Sequence, residues 1–194
     1  MSGRRLGVFN HLSLDGYFVD SGGGMSWAHT RDADPEWTAF VEGNAGGGGT
    51  LVFGRVTYDM MAGFWPSPQA AQMMPAVAER MNNLPKVVFS RTMQKASWNN
   101  TALLKGDLAA DMRALKAQSG PDLVIMGSGS LVAQLAGSGL IDSYQFVVDP
   151  VVLGGGRTMF EGLTQKLALR RASFRAFNNG NVLLTYEPAK AAPS

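Results

Sequence analysis

Residues 127–130 read Gly-Ser-Gly-Ser, inside the stretch LVIMGSGSLVAQLAGSGLID (123–142), where an apolar run hands over to a helix-like run. Two glycines and two serines are more than a simple turn requires. A helix N-terminus exposes unpaired N–H groups and the positive end of a dipole, so a turn of this kind can seat an anion. The dinucleotide pattern G-x-G-x-x-G fails because Val132 holds its third glycine position, and the P-loop pattern fails because no Lys follows the glycines. Taken alone, Gly127, Ser128, Gly129 and Ser130 leave two readings open, a phosphate seat or a tight turn.

Two other stretches carry similar chemistry. Gly54-Arg55-Val56-Thr57 follows the apolar run TLVF and offers a glycine for close backbone approach, a forked cation and a hydroxyl at the start of a helix. Ser90-Arg91-Thr92 follows KVVF with hydroxyl, guanidinium and hydroxyl. Each reads equally as a surface arginine with a cap, or as a polar loop. Together they line one edge with anion-binding groups and no acid among them. A cofactor with a diphosphate and an extra ribose phosphate would suit that edge. Sites selecting NAD place an acid on the ribose 2′-hydroxyl, whereas an arginine accommodates a 2′-phosphate, so the expected cofactor is NADPH.

The elements that must position these turns alternate in type. Strands are expected at 5–12, 50–54, 86–90, 101–104 and 123–126, with an extended stretch over 143–156 that ends in glycines. Helices are expected from Asp34-Pro35, at 55–61, from Pro75 and from an Asp107 cap, with one more after the Gly-Ser turn. Residues 15–27 read as a glycine-rich loop with aromatic ends, and the glycines of 43–49 as a connector. Residues 170–187 hold two strand-like runs around Asn-Gly, a strong hairpin signal. This order predicts an α/β fold with a mixed, mostly parallel sheet and a C-terminal antiparallel hairpin. In such sheets ligands sit beyond the carboxyl ends of the strands, where all three turns lie. One domain is expected over 1–187, with 188–194 a disordered tail.

Composition narrows the function further. The 194 residues contain no cysteine, so disulfides and thiolate metal sites are excluded, and a reducing cytoplasm is the simplest location. With His11 and His29 the only histidines, a histidine-built metal site is not expected. A net charge of +2 without long basic blocks argues against nucleic acid. No segment reaches membrane-spanning length, and no signal peptide is read at the start, where Gly7, Asn10 and His11 interrupt the apolar run. The lack of an H-x-E and P-C-x-x-C pattern excludes a zinc deaminase domain.

SLDGYF (13–18), LVFGRVTYD (51–59), VIMGSGSL (124–131) and PVVLGGGRTMF (150–160), in that order, resemble the dihydrofolate reductase fold. They are most similar to its branch containing the reductase domain of bacterial riboflavin biosynthesis, the RibD C-terminal domain. That resemblance implies a three-layer α/β/α architecture and an NADPH-dependent oxidoreductase. Arg55 and Thr57 would bind cofactor phosphates, Ser90 and Arg91 the 2′-phosphate, and Gly127 to Leu131 (Gly127, Ser128, Gly129, Ser130, Leu131) the diphosphate. Met25-Ser26-Trp27 resembles the Met-Pro-Trp of a loop that closes over nicotinamide, with backbone near Leu12 meeting the carboxamide and Trp27 toward the substrate.

By the same resemblance Asp32, five residues after Trp27, is the candidate proton relay, although it reads equally as a solvated acid. Asp15 is a substrate candidate or an Asx-type loop brace, and Arg157 a candidate for a substrate phosphate or part of a plain turn. Leu84 stands where folate reductases carry the arginine that grips the folate tail, and Phe146 where a threonine supports the acid. Folate itself is therefore not expected. The expected substrate is a small heteroaromatic or imine-like molecule, pterin- or aminopyrimidine-like. The alternative is a non-catalytic nucleotide- or ligand-binding protein on the same fold. The branch also implies a homodimer, and the apolar run NVLLTY (181–186) is expected to lie near an exposed sheet edge there.

Overall fold

The computed structural model describes residues 3–29 and 34–189. Its first half contains β1 (Leu6–Ser13), β2 (Tyr17–Asp20), α1 (Pro35–Gly46), β3 (Thr50–Gly54), α2 (Arg55–Phe64), α3 (Pro68–Met73), α4 (Pro75–Asn83) and β4 (Lys86–Phe89). There follow β5 (Thr101–Leu104), α5 (Leu108–Ala117), β6 (Leu123–Met126), α6 (Gly129–Gly137), β7 (Ser143–Asp149), β8 (Gly156–Thr158), β9 (Leu169–Ala176) and β10 (Val182–Pro188). Eight strands form one sheet in the order β5-β4-β3-β6-β1-β7-β10-β9, and β2 and β8 form a separate ribbon. Pairs from β5 through β7 are parallel; β10 joins β7 and β9 antiparallel.

Strand alternation divides the core into layers. Leu51, Phe53 and Val88 pack with Tyr58 of α2 and Val77 and Met81 of α4 on one face. Phe9, Val147, Phe177 and Leu183 meet Trp37 and Phe40 of α1 on the same side. The opposite face buries Val8, Val52, Val87, Ile125 and Tyr144 against Met112 of α5 and Leu131, Val132 and Leu135 of α6. The result is a three-layer α/β fold with a mostly parallel eight-stranded sheet and antiparallel C-terminal strands.

Asp34 caps α1 as the sequence indicates, accepting from the N–H groups of Glu36 and Trp37, and also from the Asn179 N–H in the β9–β10 turn. Burial acts to raise its carboxyl, but the N–H groups of Trp37, Asn179 and Glu36 hold it below the ordinary carboxylate range.

Helix α1 runs through Gly46, so only part of the 43–49 run is a connector. The glycine-rich stretch of 15–27 contains β2, whose partner β8 lies in the LGGGRT segment. Helix α3 had no periodicity long enough to reveal it. The apolar NVLLTY run is not at the edge: β10 lies between β7 and β9, and the edge strand is the arginine-bearing β9. The ladder continues to Pro188 opposite Leu169, and Ala189 N–H donates to the Ala168 carbonyl.

Candidate active site

The turns after β3 and β6 interlock. Ser128 Oγ accepts from the Gly54 N–H at 2.7 Å, and the Ser128 N–H donates to Thr57 Oγ1 at 3.1 Å. Gly127 and Ser128 both adopt left-handed backbone, with φ of 62° and 60°. A Cβ at Gly127 would lie 2.7 Å from Thr57 Cγ2, so only glycine fits this approach. At Gly129 a Cβ would come within 2.9 Å of the Phe18 ring. Thr57, Ser128 and Ser90, which accepts from the Met93 N–H at 3.0 Å, all receive N–H groups on their oxygens. Their own hydroxyl protons remain for an anion. Beyond them α6 presents the first-turn N–H groups of Gly129 and Ser130, while the Leu131 N–H donates to the Ser128 carbonyl at 2.8 Å.

Charge is concentrated beside these turns. Arg55 opens α2 and Arg91 follows β4; both are exposed, and neither has an ion-pair partner among the described residues. Ser90, Arg91, Lys105, Leu131 and Gln134 line a cavity of about 240 Å³ at the carboxyl ends of β4 and β5. Lys105 adds a cation that the sequence did not suggest. The nearby Asp107 carboxylate caps α5 through the Ala110 N–H.

At the carboxyl end of β1, neighbouring residues serve opposite faces. Asn10, 3 % exposed, accepts the Gly127 N–H on Oδ1 at 3.1 Å and ties β1 to the Gly-Ser turn. His11 faces α1, with Nδ1 2.8 Å from Asp149 Oδ2 and its ring edge-on to Trp37 at 5.9 Å. Asn10, His11 and Asp149 are candidate site residues that the sequence reading missed. Their only local signal is polarity inside apolar strand runs.

The remaining candidates are more dispersed. Leu12 and Met25 pack half-buried against the α5–α6 core, and Trp27 lies half-buried in the 3-10 turn Ser26–His29. Asp15 accepts from Ser13 Oγ at 2.7 Å and from the N–H groups of Leu153 and Gly154 at 3.1 and 2.8 Å. It thereby braces the loop after β7. The Ser13 hydroxyl bond, with those two N–H groups, holds its carboxyl below the usual range. Arg157 lies on β8 with its guanidinium 5.5 Å from the Phe18 ring centre. Asp32 lies outside the described residues. Phe146 packs with Tyr144 and Phe160 on the face away from α1. Among the described residues no group of three or more acidic or histidine side chains could hold a metal, and no helix could cross a membrane.

The fold is shared with known proteins. The chain is 26 % identical over 183 residues to the uncharacterized protein YyaP of Bacillus subtilis (strain 168), with 94 % of each chain covered. Its structure is similar to that of a putative riboflavin biosynthesis protein from Shewanella sp. PV-4, with a TM-score of 0.70 and 25 % identity. That match covers 96 % of this chain and 99 % of the other. Dihydrofolate reductase from Enterococcus faecalis, solved with NADP(H), shares the fold at a TM-score of 0.58 and 16 % identity, covering 96 % and 97 % of the two chains. Because the model of the RibD C-terminal domain matches residues 5–183, nearly the whole described fold, the chain belongs to the RibD C-terminal domain family.

Proposed function

We propose that this chain is an NADPH-dependent reductase acting on a small heteroaromatic or imine-like substrate. The observation that carries the reading is the cavity beside Ser90, Arg91 and Lys105, next to the interlocked turns at Gly54 and Ser128. Two cations on that cavity, with hydroxyl protons and a helix N-terminus beside it, fit a nucleotide bearing a 2′-phosphate. Arg91 and Lys105 would take the 2′-phosphate with Ser90, and Arg55, Thr57 and the start of α6 the diphosphate. Bound there, NADPH would supply the hydride; the protein would hold it, exclude water and deliver the proton. NADP(H) in the Enterococcus faecalis enzyme of the same fold favours the same chemistry.

Leu84, at the end of α4, provides no cation for a folate tail, so the substrate is a smaller molecule than folate. The absence of cysteine suits a reducing cytoplasm. Calorimetric titration of the purified protein with NADPH and NADH tests the cofactor assignment, and equal affinities would refute it. Loss of nicotinamide absorbance with small cyclic imines and dihydropterins tests the chemistry.

A further inference from the structure

Reduction of a C=N bond needs a proton as well as a hydride, and His11 and Asp149 form a pair able to deliver one. We propose that His11, oriented by Asp149, is the proton donor of this site. The assignment rests on the reductase reading above.

Position is the first argument. His11 and Asp149 stand at the carboxyl ends of β1 and β7, on the sheet end that carries the nucleotide turns. The strand residue before His11 is Asn10, whose side chain holds the turn at Gly127 on the opposite face. One strand end thus links the expected nucleotide seat to the pair.

Burial is the second. The Asp149 side chain is 0 % exposed and the His11 side chain 13 %. A buried carboxylate is costly unless paired, and it holds a neighbouring imidazole with Nδ1–H directed at itself. The proton to be transferred is then the one on Nε2. Stability alone gives little reason to keep such a pair. The β1–β7 ladder already runs in register from Gly7 opposite Ser143 to Ser13 opposite Asp149. Buried ion pairs also contribute little beyond what apolar packing would.

His11 meets a charged partner on the neighbouring strand. On β7 that partner is Asp149. On α1, Asp34 accepts backbone N–H groups from Glu36, Trp37 and Asn179, and Glu36 pairs with Arg175 of β9. Strand β6 carries no titratable side chain. Arg31 and Asp32 lie in the segment outside the described residues, and Asp32 is the rival donor.

The carbon of the C=N bond takes a hydride from NADPH, the π pair moves onto nitrogen, and the new N–H bond takes the proton as His11 Nε2–H breaks. Nδ1–H stays on Asp149, and a solvent proton restores Nε2–H. The sum is imine, NADPH and one proton giving amine and NADP⁺.

The test uses the full chain with 2-methyl-1-pyrroline and a 7,8-dihydropterin as probes. His11→Gln should lower kcat about 100-fold, within the range for general acids, and abolish the fall of kcat with rising pH. NADPH affinity should stay within about twofold, because the nucleotide contacts are untouched. Asp149→Asn should give an intermediate kcat. In the unliganded protein, ¹⁵N NMR of the His11 ring should place the persistent proton on Nδ1. A His11→Gln enzyme with wild-type kcat and pH profile would overturn the proposal, as would a persistent proton on Nε2 with Nδ1 bare. Loss of the pH dependence in Asp32→Asn but not in His11→Gln would give the role to Asp32. Joint loss of NADPH binding and turnover in His11→Gln would assign the pair to structure. Wild-type protein that oxidises NADPH with neither probe would defeat the reductase reading before any variant is made, and the donor role with it.

Discussion

Asn10 Oδ1 accepts the backbone N–H of Gly127 at 3.1 Å, joining the buried centre of β1 to the first residue of the Gly-Ser turn. The same amide donates to Met159 Sδ at 3.2 Å. Leucine at this position would leave the Gly127 N–H buried without an acceptor, at a cost of about 1–3 kcal/mol. Asn10→Leu should therefore lower the urea midpoint of unfolding without changing its slope. It should also weaken NADPH binding, since the turn loses its anchor. Unchanged stability would mean that the turn holds itself.

The backbone of that turn admits no side chain at its first residue. Gly127 has φ of 62°, and a Cβ there would meet Thr57. Alanine must accept left-handed backbone, which costs about 1–2 kcal/mol, and must also push Thr57 aside. Thr57 accepts the Ser128 N–H, so its displacement disturbs the neighbouring contact as well. Gly127→Ala should be destabilised by about 2–3 kcal/mol in denaturant titration and should bind NADPH weakly.

Cofactor selectivity should reside in Arg91 and Lys105, which line the same cavity. A charge-assisted contact to phosphate is worth about 1.5–3 kcal/mol, or roughly 10- to 150-fold in affinity. Arg91→Ala should lose about that much NADPH affinity and leave NADH binding nearly unchanged. Lys105→Ala should lose less, since a lysine acts as a point charge without the bidentate fork. Calorimetry with both nucleotides measures the difference directly. An equal loss for NADH would place these residues on the diphosphate instead.

Stability in alkali should carry the signature of Lys86. The residue is 2 % exposed, and its ammonium donates to the carbonyls of Asn82, Leu84 and Asn99 and sits 4.5 Å from the Trp98 ring centre. Burial pushes it from 10.5 down to about 8. Between those values the unfolded chain binds the extra proton, so stability contributed by this group rises with pH from about 8 to 10.5 and is level below 8. Tyr144, raised by burial to about 12, acts oppositely above pH 10, because the unfolded phenol ionises first. The stability of wild type relative to Lys86→Met should therefore climb by on the order of 2–3 kcal/mol across that window. A flat difference would mean that the three carbonyls fully offset the desolvation.

Much of this architecture was legible in sequence because its signals are local. TLVF, KVVF and LVIM are continuous apolar runs, as strands covered on both faces must be, and Asp34 and Asp107 mark helix starts by their side chains. What was not legible depends on strand order. His11 and Asp149 are 138 residues apart and meet only because β1 and β7 pair in parallel. Lys105 joins Arg91 only because β5 lies beside β4. The hairpin was evident from Asn-Gly, but which of its strands faced solvent was not, since that is decided by which one pairs with β7.

That strand order changes the argument for assembly. The edge strand β9 carries Arg170, Arg171 and Arg175, and its register with β10 shifts between Thr185 and Tyr186. Arginines and a bulge discourage edge-to-edge pairing, so two copies should not meet by extending the sheet. The sheet face offers another route. Phe174 is 63 % exposed, and its register partner Leu184 lies between it and Phe146 across the strands. These three side chains share the sheet side away from α1, and Phe174 is the one left most open. A two-fold partner is a common cover for such a face. We expect a homodimer packed through this face, with a light-scattering mass of twice the 20.7 kDa chain. Phe174→Asp should shift it toward monomer with little loss of stability, because the ring is already in solvent in the single chain. Leu184→Asp, half-buried, should weaken both the dimer and the fold. A wild-type mass of 20.7 kDa would rule the dimer out and leave the arginines and the bulge as the strand's only protection.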